Sequence, residues 1–209
     1  MIKSRRVAIL GSTGSIGRTA LRVLTRQRDR FSVTALTAHS NATLLAEQAG
    51  DWNPSYVGLV APGVDAMRDG WHSGQSALVD AATRDDVDIV LNAVVGVAGM
   101  DATLAALEAG KRVALANKET LVVAGELATA ACARSGGEIV PVDSEHSAIL
   151  QCLGVRRIEE VRRLINTAYE KAKAVLIKHK VLLVKMAQKL VEVETLEGPE
   201  LEAMFSAAA

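Results

Sequence analysis

The chain has 209 residues, with 24 basic and 24 acidic side chains and a formal net charge of zero. Because the charges balance, the chain lacks the excess of basic residues that is typical of nucleic-acid-binding proteins, and the composition argues against a polyanionic partner. Hydrophobic residues make up 49% of the sequence and aromatic residues only 3%, which favours an aliphatic α/β sheet over a β-sandwich.

The first predicted strand, about Arg5 to Leu10, runs into a turn with glycines at 11, 14 and 17 and then into a helix from about Ser15 to Gln27. Glycines in such a corner allow a sharp turn, remove a Cβ that would block a pyrophosphate and let the helix pack close to the strand. The helix N-terminus then favours an anion. The corner predicts nucleotide contacts from Gly11, Thr13, Gly14, Ser15, Ile16 and Gly17. Similar turns also occur in α/β proteins without phosphate ligands, and for this motif alone that alternative stays open.

A second predicted strand, about Phe31 to Thr37, is followed by His39, Ser40 and Asn41. In NAD-binding folds an acidic residue at this point commonly binds the ribose hydroxyls, and it would repel the extra phosphate of NADP. No acid occurs between Phe31 and Leu45, so the sequence favours NADP. The alternative is that these three side chains only cap the next helix, and the two roles are compatible.

Strand and helix signals continue to alternate along the chain. The predicted elements are a strand at about Pro54 to Val60, a loose helical region from Pro62 to Ala82, an apolar strand from Asp88 to Val95, a helix from Met100 to Ala109, a strand from Lys111 to Leu115, a helix from Thr120 to Ala133 and a strand from Glu138 to Val142. This order predicts a doubly wound, mostly parallel, Rossmann-like α/β sheet with helices on both faces. The Asp88 to Val95 run ends in a second glycine turn, at Gly96 to Gly99, and ligands bind at such strand ends.

Three polar residues, Asn117, Lys118 and Glu119, lie between a predicted strand and the following helix. Side chains at the carboxyl end of a strand can reach a bound ligand, and Lys118 provides a point charge for a phosphate or a substrate oxygen. The alternative is structural, because Asn caps helices and Glu suits the first helical turn.

Asp143, Ser144 and Glu145 follow the last predicted strand. If the extended backbone continues, residues two apart point the same way, so the two carboxylates converge on one hard cation, Mg²⁺ or Mn²⁺. The alternative is a solvated helix start with Asp143 or Ser144 as its N-cap, and spacing alone favours that alternative.

Taken together, the segments Gly11 to Gly17, Asn117 to Glu119 and Pro141 to His146 resemble the N-terminal half of 1-deoxy-D-xylulose 5-phosphate reductoisomerase, the NADPH-dependent enzyme of the non-mevalonate isoprenoid pathway. The resemblance runs from about Lys3 to about Leu153. It implies NADPH contacts from Asn117 and Glu119. It also implies that Lys118 and Ser144 are catalytic residues that contact the substrate. It also implies that Asp143 and Glu145 are metal ligands. The implied substrate is the phosphorylated sugar 1-deoxy-D-xylulose 5-phosphate.

The residues after Gly154 have a different character and lack the family's catalytic domain, lid and third metal carboxylate. A helical pattern runs from Arg156 to Val193, with apolar or small residues at 158, 161, 165, 168, 172 and 175 that predict one buried stripe. A last short helix is predicted from Glu200 to Phe205. This tail resembles the C-terminal helices of the FtsH-type AAA zinc metalloprotease. The sequence has neither a His-Glu-x-x-His segment nor a P-loop, so the tail predicts association rather than proteolysis.

These observations predict two domains, an NADPH-binding domain at 1–154 and a helical tail at 155–209. The leading hypothesis is a truncated, chimeric reductoisomerase that binds NADPH with little or no turnover. The alternative is an interaction module in which the tail drives self-association and the sheet is a passive scaffold. A dehydrogenase of another family is disfavoured by the two later motifs. Two cysteines are too few for a disulfide framework and no segment reaches the roughly 18 apolar residues of a membrane span, so a cytoplasmic location is expected.

Overall fold

The computed structural model describes residues 4–63, 66–154, 158–195 and 197–206. Its contacts divide the chain into two units, Met1–Leu150 and Gln151–Ala209. The domain boundary near Gly154 stays a prediction. Parts of the predictions above fall on Lys3, Val64, Asp65, Arg156 and Leu196, which lie outside the described residues.

The described part of the first unit contains one seven-stranded sheet in which every pairing is parallel. Its strands are β1 (Arg5–Leu10), β2 (Phe31–Ala38), β3 (Tyr56–Leu59), β4 (His72–Ser73), β5 (Ile89–Asn92), β6 (Arg112–Leu115) and β7 (Glu138–Pro141), in the order β4-β3-β2-β1-β5-β6-β7. The chain therefore builds outwards from β1 in both directions. This arrangement confirms the predicted doubly wound, Rossmann-like α/β fold.

Nine α-helices lie in the described ranges, and a short 3-10 helix covers Gly96–Gly99. The α-helices are α1 (Ser15–Thr25), α2 (Ala42–Trp52), α3 (Ser76–Thr83), α4 (Met100–Glu108), α5 (Lys118–Ser135), α6 (Ser144–Leu153), α7 (Ile158–Lys178), α8 (Lys180–Val193) and α9 (Gly198–Ser206). No helix in the described ranges is long and apolar enough to cross a bilayer.

The first unit has a core on each face of the sheet. Along β1 the side chains alternate, so that Ala8 and Leu10 join one cluster while Val7 and Ile9 join the other. All four are at most 5% exposed. A strand covered on both faces must be apolar throughout, which explains the continuous apolar run before the glycine turn.

The region from Pro62 to Ala82 differs from the predicted loose helix. It contains the two-residue strand β4, and α3 begins only at Ser76. The predicted glycine-interrupted helical region is thus helical only from Ser76, because Gly70 and Gly74 have φ values of +79° and +90°, in the left-handed region that ends a helix. Both β4 residues are exposed, so no apolar period marked the strand.

The predicted tail also differs in two respects. The helical run is interrupted at His179 between α7 and α8. The predicted stripe is mostly exposed: Val161 is 8% exposed, but Ile165 is 48% and Val175 is 59% exposed. An amphipathic pattern indicates that a face is apolar but not what covers that face. The side chain of Ile158 lies outside the described part.

The ion pair between Arg84 and Asp86 makes the stability of the fold dependent on pH. Asp86 accepts hydrogen bonds from Arg84, at 2.7 Å from Nε and 2.9 Å from Nη2. These bonds, assisted by one from Ser55, lower the pKa of Asp86 to about 2. Because the pKa is lowered in the folded state, this stabilisation is complete above the ordinary Asp pKa of about 3.9 and is lost as the pH falls through the lowered value.

We therefore expect Asp86→Asn to lower the free energy of unfolding by about 1 kcal/mol at pH 6, after a discount for solvent exposure, and by less at pH 3. Urea unfolding followed by circular dichroism at both pH values measures the difference. Asp85→Asn, at the exposed neighbouring carboxylate, is the matched control. Equal losses for Asp86→Asn at the two pH values would contradict the assignment.

Candidate functional site

The candidate site lies at the carboxyl edge of the sheet, where the strand order reverses between β1 and β5. Ligands of open α/β sheets bind at such switch points. The glycine loop follows β1, the residues His39 to Asn41 follow β2, and the two later motifs follow β6 and β7. Because the strands are all parallel, the fold brings the four predicted segments to one edge.

The backbone itself requires glycine at two positions of the loop. Gly11 has φ +80°, and a Cβ there would lie 2.8 Å from the carbonyl oxygen of Ala93. A Cβ on Gly17 would lie 2.3 Å from the carbonyl oxygen of Gly11. At Gly14 the nearest atom would be 3.4 Å away, an ordinary contact. The fold therefore needs Gly11 and Gly17 but does not need Gly14.

The N-terminus of α1 carries no side-chain cap. Gly14 is its N-cap residue, in an extended conformation, and Ser15 and Ile16 in the first turn are exposed. In contrast, Asn41 caps α2 through a 3.1 Å bond from the Leu44 N–H. Since the first N–H groups of a helix have no partner within the helix, those of α1 are available to an anion.

Buried polar groups of β2 and α2 form hydrogen bonds with the glycine loop. The N–H groups of Gly11 and Ser12 donate to the Thr37 carbonyl oxygen at 3.0 and 2.8 Å. Ser12 Oγ donates to Gln48 Oε1 at 2.7 Å, and Gln48 Nε2 donates to the Ser12 carbonyl oxygen at 3.0 Å. Sequence reasoning missed Gln48; the available signal was a polar residue three positions after Leu45, on the buried face of α2.

A cavity of about 360 Å³ opens beside the loop. It is lined by Gly11, Thr13, Gly14, Ala38, His39, Val60, Gln75, Leu78, Ala93, Val94, Val95 and Ala98. The cavity therefore brings together part of the glycine corner and the predicted residue His39, with apolar walls between them. Gln75, which the sequence did not single out, donates from Nε2 to the Ala98 carbonyl oxygen at 2.7 Å and links two loops of the rim.

The remaining predicted residues after β2 are Ser40 and Asn41, both exposed. The side-chain oxygen of Asn41 is the cap of α2, so the structural role left open by the sequence is present. One amide oxygen can accept a second hydrogen bond, and a cofactor role for Asn41 stays a prediction.

Asn117 is 3% exposed and its side chain is engaged on both ends. Nδ2 donates to the carbonyl oxygens of Val94, at 2.6 Å, and of Gly96. Oδ1 accepts from the N–H of Thr120 at 3.0 Å, which caps α5, and from the Thr120 hydroxyl at 3.3 Å. These bonds use the amide's hydrogen-bonding capacity, so the side chain shapes the loop after β5. Any contact with a cofactor would have to come from the main chain of Asn117.

The loop after β5 has a second buried support. Asn92 and Thr103 are fully buried, and Asn92 Nδ2 donates to the Gly99 carbonyl oxygen at 2.9 Å and to the Thr103 hydroxyl at 2.7 Å. A Cβ on Gly99 would lie 2.6 Å from that nitrogen. In the second predicted glycine turn, Gly99 therefore packs directly against the Asn92 side chain, which leaves no space for a Cβ.

The structure corrects the predicted geometry at Asp143. The extended backbone does not continue, because α6 begins at Ser144. Asp143 Oδ1 accepts from the His146 N–H at 3.2 Å and lies 3.1 Å from His146 Nδ1, so Asp143 acts as the N-cap. Ser144 Oγ donates to Glu145 Oε2 at 2.7 Å. The helical alternative that spacing alone favoured is the one observed.

Asp143, Glu145 and Lys118 nevertheless lie close enough to interact. The pKa of Asp143 is lowered, first by the hydrogen bond from the His146 N–H and further by Glu145, by the His146 side chain and by the positive charge of Lys118. Lys118 and Glu119 are exposed in the first turn of α5. Among the residues the structure describes, no three His, Cys, Asp or Glu form a group that could hold a metal ion. If Asp143 and Glu145 bound Mg²⁺, they would supply only part of the six-ligand shell that this ion requires.

Comparison with known proteins gives one consistent family. Residues 7–125 match the family model described as 1-deoxy-D-xylulose 5-phosphate reductoisomerase. Proteins of that name from Nocardia farcinica and Rhodococcus jostii are each 49% identical, over 164 and 166 residues, covering 78% of this chain and 41% of each relative. The chain thus spans about 41% of the length of these curated relatives.

Two solved structures share the fold at a similar level. The reductoisomerase from Zymomonas mobilis in complex with NADPH has 42% identity and a TM-score of 0.67, covering 72% of this chain and 41% of that one. A reductoisomerase in complex with NADPH, fosmidomycin and magnesium has 39% identity and a TM-score of 0.65, covering 71% of this chain and 38% of that one.

Proposed function

The chain belongs to the 1-deoxy-D-xylulose 5-phosphate reductoisomerase family, and from that premise we propose that its first unit is the NADPH-binding portion of such an enzyme. The observation that carries the proposal is the uncapped N-terminus of α1, which opens beside the cavity lined by Gly11, Thr13, Gly14 and His39. The NADPH complex of the relative from Zymomonas mobilis supports the same cofactor.

In this proposal the pyrophosphate lies against the segment from Thr13 to Ile16. The free N–H groups at the start of α1 bind its oxygens, and the helix dipole stabilises the charge. Gly14 has a distinct role: the fold accepts a Cβ there, so its lack of a side chain serves the approach of the phosphate.

The adenosine end would lie towards His39, Ser40 and Asn41 at the end of β2. These uncharged or weakly basic groups leave room for the 2′-phosphate that distinguishes NADP from NAD. At the other end, Glu119 and the main chain of Asn117 would complete the cofactor site. Both follow β6, two strands away from β1 in the sheet.

Lys118 and Ser144 would contact the substrate, the phosphorylated sugar 1-deoxy-D-xylulose 5-phosphate. The flexible Lys118 side chain supplies a positive charge for a phosphate or an oxygen of the sugar. Asp143 and Glu145 would hold Mg²⁺ or Mn²⁺, which supplies Lewis-acid chemistry when bound.

We expect the purified chain to bind NADPH saturably and more tightly than NADH, and Gly14→Ala to weaken NADPH binding about tenfold or more through a steric block at the phosphate. Titration calorimetry, with tryptophan quenching in parallel, measures both affinities. Gly50→Ala, in α2 with nothing within 4 Å of the new Cβ, is the matched control. A folded wild-type chain that binds neither nucleotide would refute the proposal.

The cofactor preference has its own test at Asn41. Asn41→Asp keeps an oxygen that can cap α2 but adds a negative charge where the 2′-phosphate would lie. We expect it to lower the affinity for NADPH about tenfold relative to that for NADH, since two negative charges then oppose each other. Asn41→Ser, which also caps but is neutral, should leave the ratio of the two affinities near the wild-type value. An unchanged ratio in Asn41→Asp would place the 2′-phosphate elsewhere.

We also propose that the amphipathic helical tail mediates self-association. The observation that favours this second role is the exposed apolar face of α7, on which Ile165, Tyr169 and Leu176 are 48%, 62% and 54% exposed. Such a face is a cost in water unless it is buried against a partner.

Ile165→Glu combined with Leu176→Glu should therefore shift the chain towards the monomer in sedimentation velocity over a range of concentrations. Asn166→Glu, at an exposed neighbouring position on the same helix, adds a charge without touching the apolar face. Its sedimentation should match that of the wild type. If the double variant sediments like the wild type, the tail does not drive association.

A further inference from the structure

Gln48 is a buried polar side chain of α2, and it forms hydrogen bonds with the glycine loop after β1. It is 7% exposed, and its partner Ser12 is fully buried. The two residues exchange a pair of hydrogen bonds, at 2.7 Å from Ser12 Oγ to Gln48 Oε1 and at 3.0 Å from Gln48 Nε2 to the Ser12 carbonyl oxygen. The two hydrogen bonds close a ring between the Gln48 amide and Ser12, like the paired bonds between two residues of neighbouring strands.

We propose that Gln48 is a positioning residue for the cofactor pyrophosphate, acting through Ser12. The inference rests on the proposed NADPH function of the first unit. Gln48 does not line the cavity beside the loop, so its effect on the cofactor is indirect. Ser12 immediately precedes Thr13 and Gly14, and the orientation of its peptide sets the direction in which the next N–H groups point.

The physical basis is preorganisation. Within the loop between β1 and α1, the Gly14 N–H donates to the Gly11 carbonyl oxygen at 3.2 Å, and Gly11 is held at φ +80°. Thr37 fixes the loop from the β2 side through its carbonyl oxygen, and Gln48 fixes it from the α2 side. A loop ordered before binding does not lose conformational entropy when the phosphate arrives, which strengthens binding without adding a contact to the ligand.

The direct test replaces Gln48 with methionine, which keeps the length and helix propensity of the side chain but not its hydrogen bonds. We expect Gln48→Met to weaken NADPH and NADH by the same factor, about tenfold, because two hydrogen bonds are lost and both nucleotides carry the same pyrophosphate. The ratio of the two affinities should stay at the wild-type value. Calorimetric titration of the full chain measures both.

Leu45→Val is the control for a merely structural effect. Leu45 is fully buried on the same face of α2 but belongs to the apolar core. Its shortening should lower the free energy of unfolding, measured in urea, without changing either dissociation constant of the folded protein. Both variants are compared at a temperature where circular dichroism reports a fully folded sample.

Ser12→Ala alone keeps the proposal testable if Gln48→Met proves unstable, because it should weaken NADPH and NADH by the same factor. A double-mutant cycle adds a second test where both variants fold. Ser12→Ala removes one of the two bonds and leaves the bond to the Ser12 carbonyl oxygen. If Gln48 acts through Ser12, the combined variant should lose less affinity than the product of the two separate losses. Independent losses, or a folded Gln48→Met variant with wild-type affinity for NADPH, would overturn the proposal. Failure of the wild type to bind either nucleotide would instead refute the function on which it rests.

Discussion

Where the chain leaves β1, at Gly11, it runs against the main chain that leaves β5, and a Cβ at Gly11 would stand 2.8 Å from the Ala93 carbonyl oxygen. The two strands are parallel neighbours, so their continuations have to diverge at the same edge. The β1 continuation turns sharply into α1 while the β5 continuation enters the turn at Gly96–Gly99. The cavity lies between the loop after β1 and the loop after β5, and residues of both loops line it.

Primary amide side chains hold these diverging loops in place. Gln48 holds the loop after β1, while Asn92 and Asn117 hold the loop after β5. Each amide donates to a main-chain carbonyl oxygen and accepts from a nearby donor, as a peptide group would. Loops that carry ligands cannot satisfy their own backbone groups through regular structure, and buried amides satisfy them at the cost of a polar group in the core. The described part of the molecule leaves no buried side-chain polar atom without a partner.

Local patterns predicted the sheet and the glycine corner well, because their causes are local. The apolar run of β1 is set by burial on both faces, and Gly11 and Gly17 are set by contacts within a few residues or with the adjacent strand. At Asp143 two local structures compete, and the helix start that spacing alone favoured is stabilised by a cap bond from the His146 N–H. The position of Gln48 on the buried face of α2 was readable from the sequence, but its hydrogen-bond partner Ser12 lies 36 residues away along the chain, and the helical pattern does not indicate that pairing.

The apolar face of α7 was predicted correctly as a pattern and wrongly as buried. Periodicity records the composition of a helix surface, whereas burial depends on a second surface. The same distinction applies to the two-residue strand β4, which pairs with β3 at Gly58 and Leu59 although its own side chains are exposed. Its existence follows from the backbone of its neighbour rather than from its own residues.

The two margins of the sheet also bear on how the protein behaves at high concentration. One margin is β4, only two residues long, and the other is β7, which ends at Pro141 and carries Glu138 in an ion pair with Arg112. A short strand, a charge and a residue without an N–H are the devices by which native sheets avoid pairing with a sheet from another molecule. Growth of the sheet by addition of a foreign strand is therefore disfavoured at both margins, and the protein is protected there against the type of aggregation that begins with strand addition.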